Sequence, residues 1–337
     1  MKRRSVRVLA AGVTVVAALL LGACGGGAGA DGTETVTVAQ ADPGLSFAPL
    51  YVADGMGYFA DEGLAVDIQT LKPDVAVAGL ASDQIDYVAT IGSVARQAAT
   101  GVPVKVAMVW FDRTPFVIMG NSRFQDMAAL RGQAVGVSGF GSSTDVALRH
   151  ALRASGLDPE TDVEIIQLGG GGPAGRITAI QTDQVAATPL TLPDDIIAER
   201  RGLTRLYDTT DELLIPFTGL GVSDIKLAED PEQIAAMIRA TRRALEHMAA
   251  EPEESARIIS EATGTEEDVV LEALPTMVRI VSPDGLASAE ALENSIAPTD
   301  GSGATPDLAT AYDFDLLRAE NTQQGVPAAP DRPAADG

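Results

Sequence analysis

Hydroxyl side chains and glycines gather where apolar runs give way to helical patterns. The densest such segment is Ser138-Gly139-Phe140-Gly141-Ser142-Ser143-Thr144. Free N–H groups at the start of the following helix, with the hydroxyls of Ser142, Ser143 and Thr144, can hold an anion or a polar head group. A local role fits the same residues. Ser142 and Asp145 have capping-box spacing, and the Asp145 carboxylate then competes for those N–H groups. The loop 42–48 carries Ser46 and Phe47, with Tyr51 one turn later. Ser46 either caps the helix that Pro49 enters or faces a ligand. In Thr90-Ile91-Gly92-Ser93, Gly92 permits close backbone approach and Ser93 reads as the helix start. Thr188-Pro189-Leu190-Thr191 is a fourth candidate loop, with Thr188 as the contact and Pro189 stiffening the turn. The glycine run 169–172 lacks the Gly-Lys-Ser/Thr ending of a nucleotide loop and reads as a strand-to-helix turn.

Catalytic and metal chemistry has little to work with. The chain holds one cysteine, Cys24, and two histidines, His150 and His247. Each histidine lies in a helical pattern far from a second ligand, so no metal site is expected. A lone cysteine also forbids an intrachain disulfide, and the fold must rest on its own core. No segment calls for a cofactor. Arg113 can pair with an anionic ligand or with a surface acid. Phe47, Tyr51, Trp110, Phe111 and Phe140 lie near the candidate loops, where they pack or stack on a planar ligand.

The elements that must position these groups alternate. Strands are predicted at 36–38, 64–68, 85–90 and 104–110, with helices at 75–80 and 93–100. A second series has strands at 134–137, 163–168 and 185–188, with helices at 144–155 and 173–182. Such alternation implies βαβ units and mainly parallel sheets. Ligands of open α/β sheets bind beyond the carboxyl ends of the strands, where the four loops fall. From Pro231 the pattern turns helical, with Ile234, Met237, Ile238, Thr241, Leu245 and Met248 on one face. Ala81-Ser82-Asp83-Gln84-Ile85 is echoed by Gln181-Thr182-Asp183-Gln184-Val185, as two related lobes would leave it.

The N-terminus bounds the compartment. Lys2, Arg3, Arg4 and Arg7 precede an apolar run from Val8 to Leu21, too short to span a bilayer (~20 residues). This reads as a secretory signal over residues 1–23. Leu21-Gly22-Ala23-Cys24 resembles a lipobox, which implies cleavage before Cys24 and a lipid on its sulfur. Cleavage removes four basic residues and no acids, taking the formal charge from −23 to −27. That acidity argues against nucleic acid as a partner. Residues 24–35 read as a flexible tether, and the Pro-, Ala- and Asp-rich end, 322–337, as disordered.

Over most of the mature chain the sequence resembles the substrate-binding proteins of nitrate, sulfonate, taurine and thiamine-precursor ABC importers. Ala48-Pro49-Leu50-Tyr51-Val52-Ala53, Gly57-Tyr58-Phe59 and Glu62-Gly63-Leu64 match the entry motif. Gln84-Ile85-Asp86-Tyr87 and Gly101-Val102-Pro103-Val104 follow in order. Leu130-Arg131-Gly132, Val135-Gly136-Val137 and Ala154-Ser155-Gly156-Leu157-Asp158-Pro159 match the second lobe, and Asp313-Phe314-Asp315-Leu316-Leu317 the closing helix. The resemblance implies an α/β, class II periplasmic-binding-protein fold: two α/β lobes joined by two crossover segments. Lobe one is then 36–112 with 217–321, and lobe two 113–216. It implies a monomeric, lipid-anchored, extracytoplasmic protein that captures a small organic or anionic solute. The partners it implies are an ABC permease and its ATPase. A planar heterocycle suits the scarce cleft bases better than nitrate or a sulfonate. Two other readings stay open: a ligand sensor, and a thiamine-pyrimidine-synthase-like enzyme. The enzyme is disfavoured because Lys72, Lys105 and Lys226, the only lysines after the signal, pair with no histidine.

Overall fold

A computed structural model describes residues 33–168, 172–297 and 307–329. The signal segment 1–23, Cys24, most of the tether and the glycines 169–171 lie outside the described residues. Ten strands form two five-stranded sheets. The first holds β1 (Glu34–Gln40), β2 (Leu64–Thr70), β3 (Tyr87–Val88), β4 (Val104–Val109) and β10 (Gly219–Ser223). The second holds β5 (Val117–Gly120), β6 (Ala134–Val137), β7 (Glu164–Gln167), β8 (Ala187–Leu190) and β9 (Thr204–Asp208).

The two sheets share one wiring. The first runs β2-β1-β3-β10-β4 and the second β7-β6-β8-β5-β9. Each has a parallel series with one antiparallel strand in fourth place. That strand is the first one after the chain changes sheets: β5 follows the passage from β4, and β10 the return from β9. A strand entering from the other sheet needs no helical crossover, so it can pair antiparallel.

The repeated five-residue segment has a structural cause. Asp83 and Asp183 both adopt φ of 58°. In each case the next two amides, of residues 84 and 85 or 184 and 185, donate to one carbonyl, Gly79 or Ala179. Aspartate tolerates this left-handed conformation better than most residues, so one turn feeds the third parallel strand of both sheets.

The largest core lies on the first sheet, where the long helix Pro231–Ala250 packs through Ile234, Met237, Ile238, Thr241, Leu245 and Met248, all buried. Leu192 and Ile196, from the segment after β8, join this core rather than that of the second sheet. No helix among the described residues is long and apolar enough to cross a membrane.

Several expectations need correction. β3 is reduced to Tyr87–Val88 and β8 begins at Ala187, two residues late, because the aspartate turns consume the preceding residues. Thr188, Pro189 and Leu190 therefore lie inside β8 and not in a loop. Residues 322–324, expected to belong to a disordered tail, lie in a helix. The final helix, Asp315–Gln324, ends at Gly325 in the left-handed conformation (φ 67°). Beyond it the Ala329 amide donates to Asp284 Oδ2 at 2.9 Å. Arg242, 6% exposed, holds this helix through Asn321 and Gln324. Residues 330–337 lie outside the described residues.

Candidate functional site

The segments after β1, β3 and β6 carry the candidate residues, except Thr188, which lies inside β8. After β1, Tyr51 is 7% exposed and donates from its hydroxyl to Gln40 Oε1 at 2.7 Å. Burial pushes the Tyr51 phenol up to about 12, and the nearby Asp42 charge adds to the shift. Tyr51 and Phe47 are core residues. Ser46 does not cap the helix Ala48–Gly55; the cap position is Phe47. Ser46 is half-buried, and its carbonyl accepts from Thr218 Oγ1 at 2.9 Å.

After β3 the helix Ile91–Ala98 starts earlier than expected. Its cap position is Thr90, and Ser93 lies in its first turn. Thr90 Oγ1 is buried and makes no hydrogen bond within the protein. Gly92 is half-buried.

After β6 the hydroxyls bond one another. Thr144 Oγ1 accepts from the Ser138 amide at 2.9 Å and lies 2.8 Å from Ser142 Oγ. Ser142 Oγ accepts from the Asp145 amide at 3.4 Å. Asp145 Oδ2 accepts from the Gly141 amide at 2.8 Å, and Arg149 Nε donates to Oδ1 at 2.7 Å. The capping arrangement thus holds the helix end, and a carboxylate sits where an anion would bind. Ser143 is exposed, as is Phe140 at 62%. After β6 and across to β8, Thr188 is fully buried and donates to the Gly136 carbonyl at 2.9 Å.

Ser46, Gly92, Ser93 and Ser143 therefore keep surface or polar groups at the strand ends. Phe47, Tyr51, Ser142, Thr144 and Thr188 hold the framework behind them.

Asp194 interacts electrostatically with Arg176 and with Asp42. Asp42 follows β1, Asp194 opens the helix Asp194–Arg200 after β8, and Arg176 lies in the helix Gly172–Gln181 after β7. Asp42 stays exposed, yet the surrounding protein raises its carboxyl, opposed by a hydrogen bond from the Gly44 backbone. Desolvation lifts Asp194 to about 6; Arg176 opposes the shift, and Asp195 and Asp42 add to it. Burial lowers Arg176, and its Nε is buried without a partner. Asp42 belongs to the first sheet and the other two to the second, so the interaction spans both. Near Asp42 and Asp194 in sequence, Leu45, Ser46, Thr191 and Leu192 line a small apolar cavity of about 10 Å³, with Phe111 and Phe217 from the two passages between sheets. Trp110, fully buried at the end of β4, also has an indole N–H without a partner. Arg113 is taken by acids, Asp112 at 2.8 Å and Asp211 at 3.6 Å.

The sequence signal for these three residues was weak. Asp42 lay in a named loop, but it is one of 47 acidic residues. Arg176 followed a glycine run read as a plain turn.

Comparison with known proteins adds a lineage. The family model described as NMT1/THI5 like matches residues 45–255. The riboflavin-binding protein RibY of Chloroflexus aurantiacus is 29% identical over 231 residues, 66% of this chain and 64% of RibY. The chain thus spans just under two thirds of that relative's length. The periplasmic sulfonate-binding protein SsuA of Methylobacillus flagellatus superposes with a TM-score of 0.72 at 15% identity, covering 90% of this chain and 99% of SsuA. The periplasmic nitrate-binding protein NrtA of Synechocystis gives 0.69 at 15% identity, covering 89% and 92%. The two-sheet architecture is the periplasmic-binding-protein fold of these structures.

Proposed function

Since the chain belongs to the NMT1/THI5-like family, we propose that it is the solute-capturing protein of an ABC importer and takes an uncharged planar heterocycle between its two lobes. Riboflavin is the first candidate, because RibY binds it. The observation that carries this reading is the two-sheet fold shared with SsuA and NrtA, together with the sequence likeness to RibY. The large excess of acidic over basic residues disfavours nitrate or a sulfonate, although SsuA and NrtA share the fold. Capture closes the lobes, 36–112 with 217–321 against 113–216, and buries the solute from both sides.

In this reading the chain is monomeric and not an enzyme. Its histidines serve structure: His150 Nε2 lies 3.0 Å from Glu212 and His247 Nδ1 lies 3.2 Å from the Tyr58 hydroxyl. Cys24 carries the lipid that holds the protein at the outer face of the cytoplasmic membrane. There it meets the permease and, through it, the ATPase.

The test is a binding panel on the purified protein. Quenching of flavin fluorescence measures riboflavin, and calorimetry measures nitrate and ethanesulfonate. Riboflavin binding at micromolar or lower Kd, with no heat from the two anions, is expected. Binding of either anion with none of riboflavin overturns the solute assignment. Incorporation of labelled fatty acid by the wild type and not by Cys24→Ser tests the anchor.

A further inference from the structure

One cavity shares no lining residue with the candidate loops. It measures about 280 Å³ and lies between the helices Pro231–Ala250 and Glu267–Arg279 and the turn that follows the second. Met108, Leu245, Val278 and Val281 give it apolar walls. The turn's own polar groups are spent. Ser282 Oγ donates to the Leu286 carbonyl, and the Gly285 carbonyl accepts from the Val109 amide at 2.7 Å.

Arg242 and Glu246 line the same cavity, one helical turn apart. Arg242 is 6% exposed and bonds neutral amides, Gln324 at 2.8 Å and Asn321. It forms no ion pair among the described residues. Glu246, Glu320 and Asp284 act on its charge through space. Two of these acids are engaged elsewhere: Glu320 by Arg239 and Gln324, Asp284 by the Leu286 and Ala329 amides. Glu246 is exposed, and its carboxylate has no hydrogen bond or ion pair among the described residues. A cation and an anion thus border one space without pairing, although their i,i+4 spacing allows it.

These features select the occupant. A lone anion would meet Glu246, and a lone cation would meet Arg242. A purely apolar molecule would leave the spare N–H groups of the guanidinium unmatched. A zwitterion satisfies both charges. Residues one turn apart have Cβ atoms ~5–6 Å from each other, a gap that an ammonium and a carboxylate on one carbon can bridge. The volume stands at the lower bound of ordinary ligand pockets, ~300 Å³, so the body of the molecule is small.

We propose that this cavity is a second binding site, for an α-amino acid with a small apolar side chain. Arg242 donates to its carboxylate, Glu246 accepts from its ammonium, and the side chain packs on Met108, Leu245, Val278 and Val281. The site stands whatever solute the interlobe cleft takes.

The test is calorimetry on the purified protein with L-leucine and with two analogues that each lack one charge, 4-methylpentanoate and 3-methylbutylamine. One leucine per chain is expected. Each analogue should bind ~10–100-fold more weakly, because it leaves a charged group unmatched. Glu246→Gln, at an exposed position, should cut leucine affinity about tenfold and leave 4-methylpentanoate unweakened. Val278→Phe fills the cavity and should abolish binding. Melting curves check that both variants fold, and if Val278→Phe does not, Glu246→Gln decides. No heat from leucine at millimolar concentration overturns the assignment. So does equal affinity for leucine and its analogues. Leucine binding that the folded variants leave unchanged places the amino acid elsewhere and overturns it too.

Discussion

Thr144→Val separates a framework hydroxyl from a ligand-contacting one. Thr144 is 4% exposed, and valine matches its shape. The change deletes one oxygen that accepts from the Ser138 amide at 2.9 Å and lies 2.8 Å from Ser142 Oγ and 2.9 Å from Ser138 Oγ. Ser142 keeps its bond from the Asp145 amide, so the helix Ser143–Ala154 remains capped. The cost is chiefly the Ser138 amide, on an exposed residue and left without its acceptor. A buried donor stranded in this way costs ~1–3 kcal/mol, and partial water access at Ser138 favours the lower half. With a urea m-value near the upper end of ~1–3 kcal/mol/M for a chain of this size, the midpoint should fall by roughly 0.3–0.7 M. Ligand affinity should change by less than about threefold, because the hydroxyl is spent inside the loop. Ser143→Ala, at an exposed position, should leave the midpoint unmoved. The assay is urea unfolding followed by far-ultraviolet circular dichroism, beside a binding titration. An unchanged midpoint with a tenfold loss of affinity refutes the reasoning, since Thr144 would then face the solute.

Asp194 should give stability a pH dependence. Its folded carboxyl is held near 6, mainly by desolvation, against an ordinary 3.8 in the unfolded chain. Its contribution is full below the unfolded value and is lost as pH rises through about 6, so Asp194→Asn should flatten the decline between those values; parallel urea titrations check this, and identical wild-type and variant slopes count against it. Arg200 joins the helix after β8 to Asp268 and Glu272 of the helix Glu267–Arg279, at 2.8 and 2.7 Å. All three side chains are exposed, so Arg200→Gln should leave melting unchanged, weaken solute binding a few-fold at low salt and show no difference from wild type at high salt, where such pairs are screened; a gap that persists at high salt excludes the ion pairs as its cause.

The parallel part of the fold was legible because periodicity encodes it. The face of Pro231–Ala250 appeared at three- and four-residue spacing, and all six residues named for it are buried. The two aspartate turns left matching segments a hundred residues apart because both need the same left-handed residue. β5, β9 and β10 were not legible. β10 reads Gly-Leu-Gly-Val-Ser, and glycine suggests a turn. In the structure Gly219 is a strand residue, since a Cβ there would lie 2.0 Å from the Met108 carbonyl oxygen. That demand comes from β4, over a hundred residues earlier. The site divides in the same way. Capping by Ser142 was local and readable. The electrostatic coupling of Asp194 to Asp42 and Arg176 depends on which strand ends lie near one another, and no local pattern marks it.

The contacts between lobes differ in strength, and this bears on how they can part. Leu192 is 9% and Ile196 5% exposed, and both pack into the core of the first sheet although they follow β8 of the second. Fully burying such a side chain contributes ~1.5–3 kcal/mol. Pulling both out would cost more than closure on a small solute commonly returns. The ion pairs of Arg200 are exposed, and salt and water readily replace them. Opening therefore keeps the 192–196 segment seated and breaks the ionic contacts. The pivot then lies near the cavity lined by Phe111, Pro115, Leu192 and Phe217, where both passages between sheets also run. Asp42 and Asp194 flank that cavity in sequence, at Leu45 and at Leu192. Groups close to a pivot move least, so Asp42 and Asp194 stay near register while the outer loop with exposed Phe140 swings furthest. The site is then largely preformed at its polar end, which reduces the ordering cost of capture.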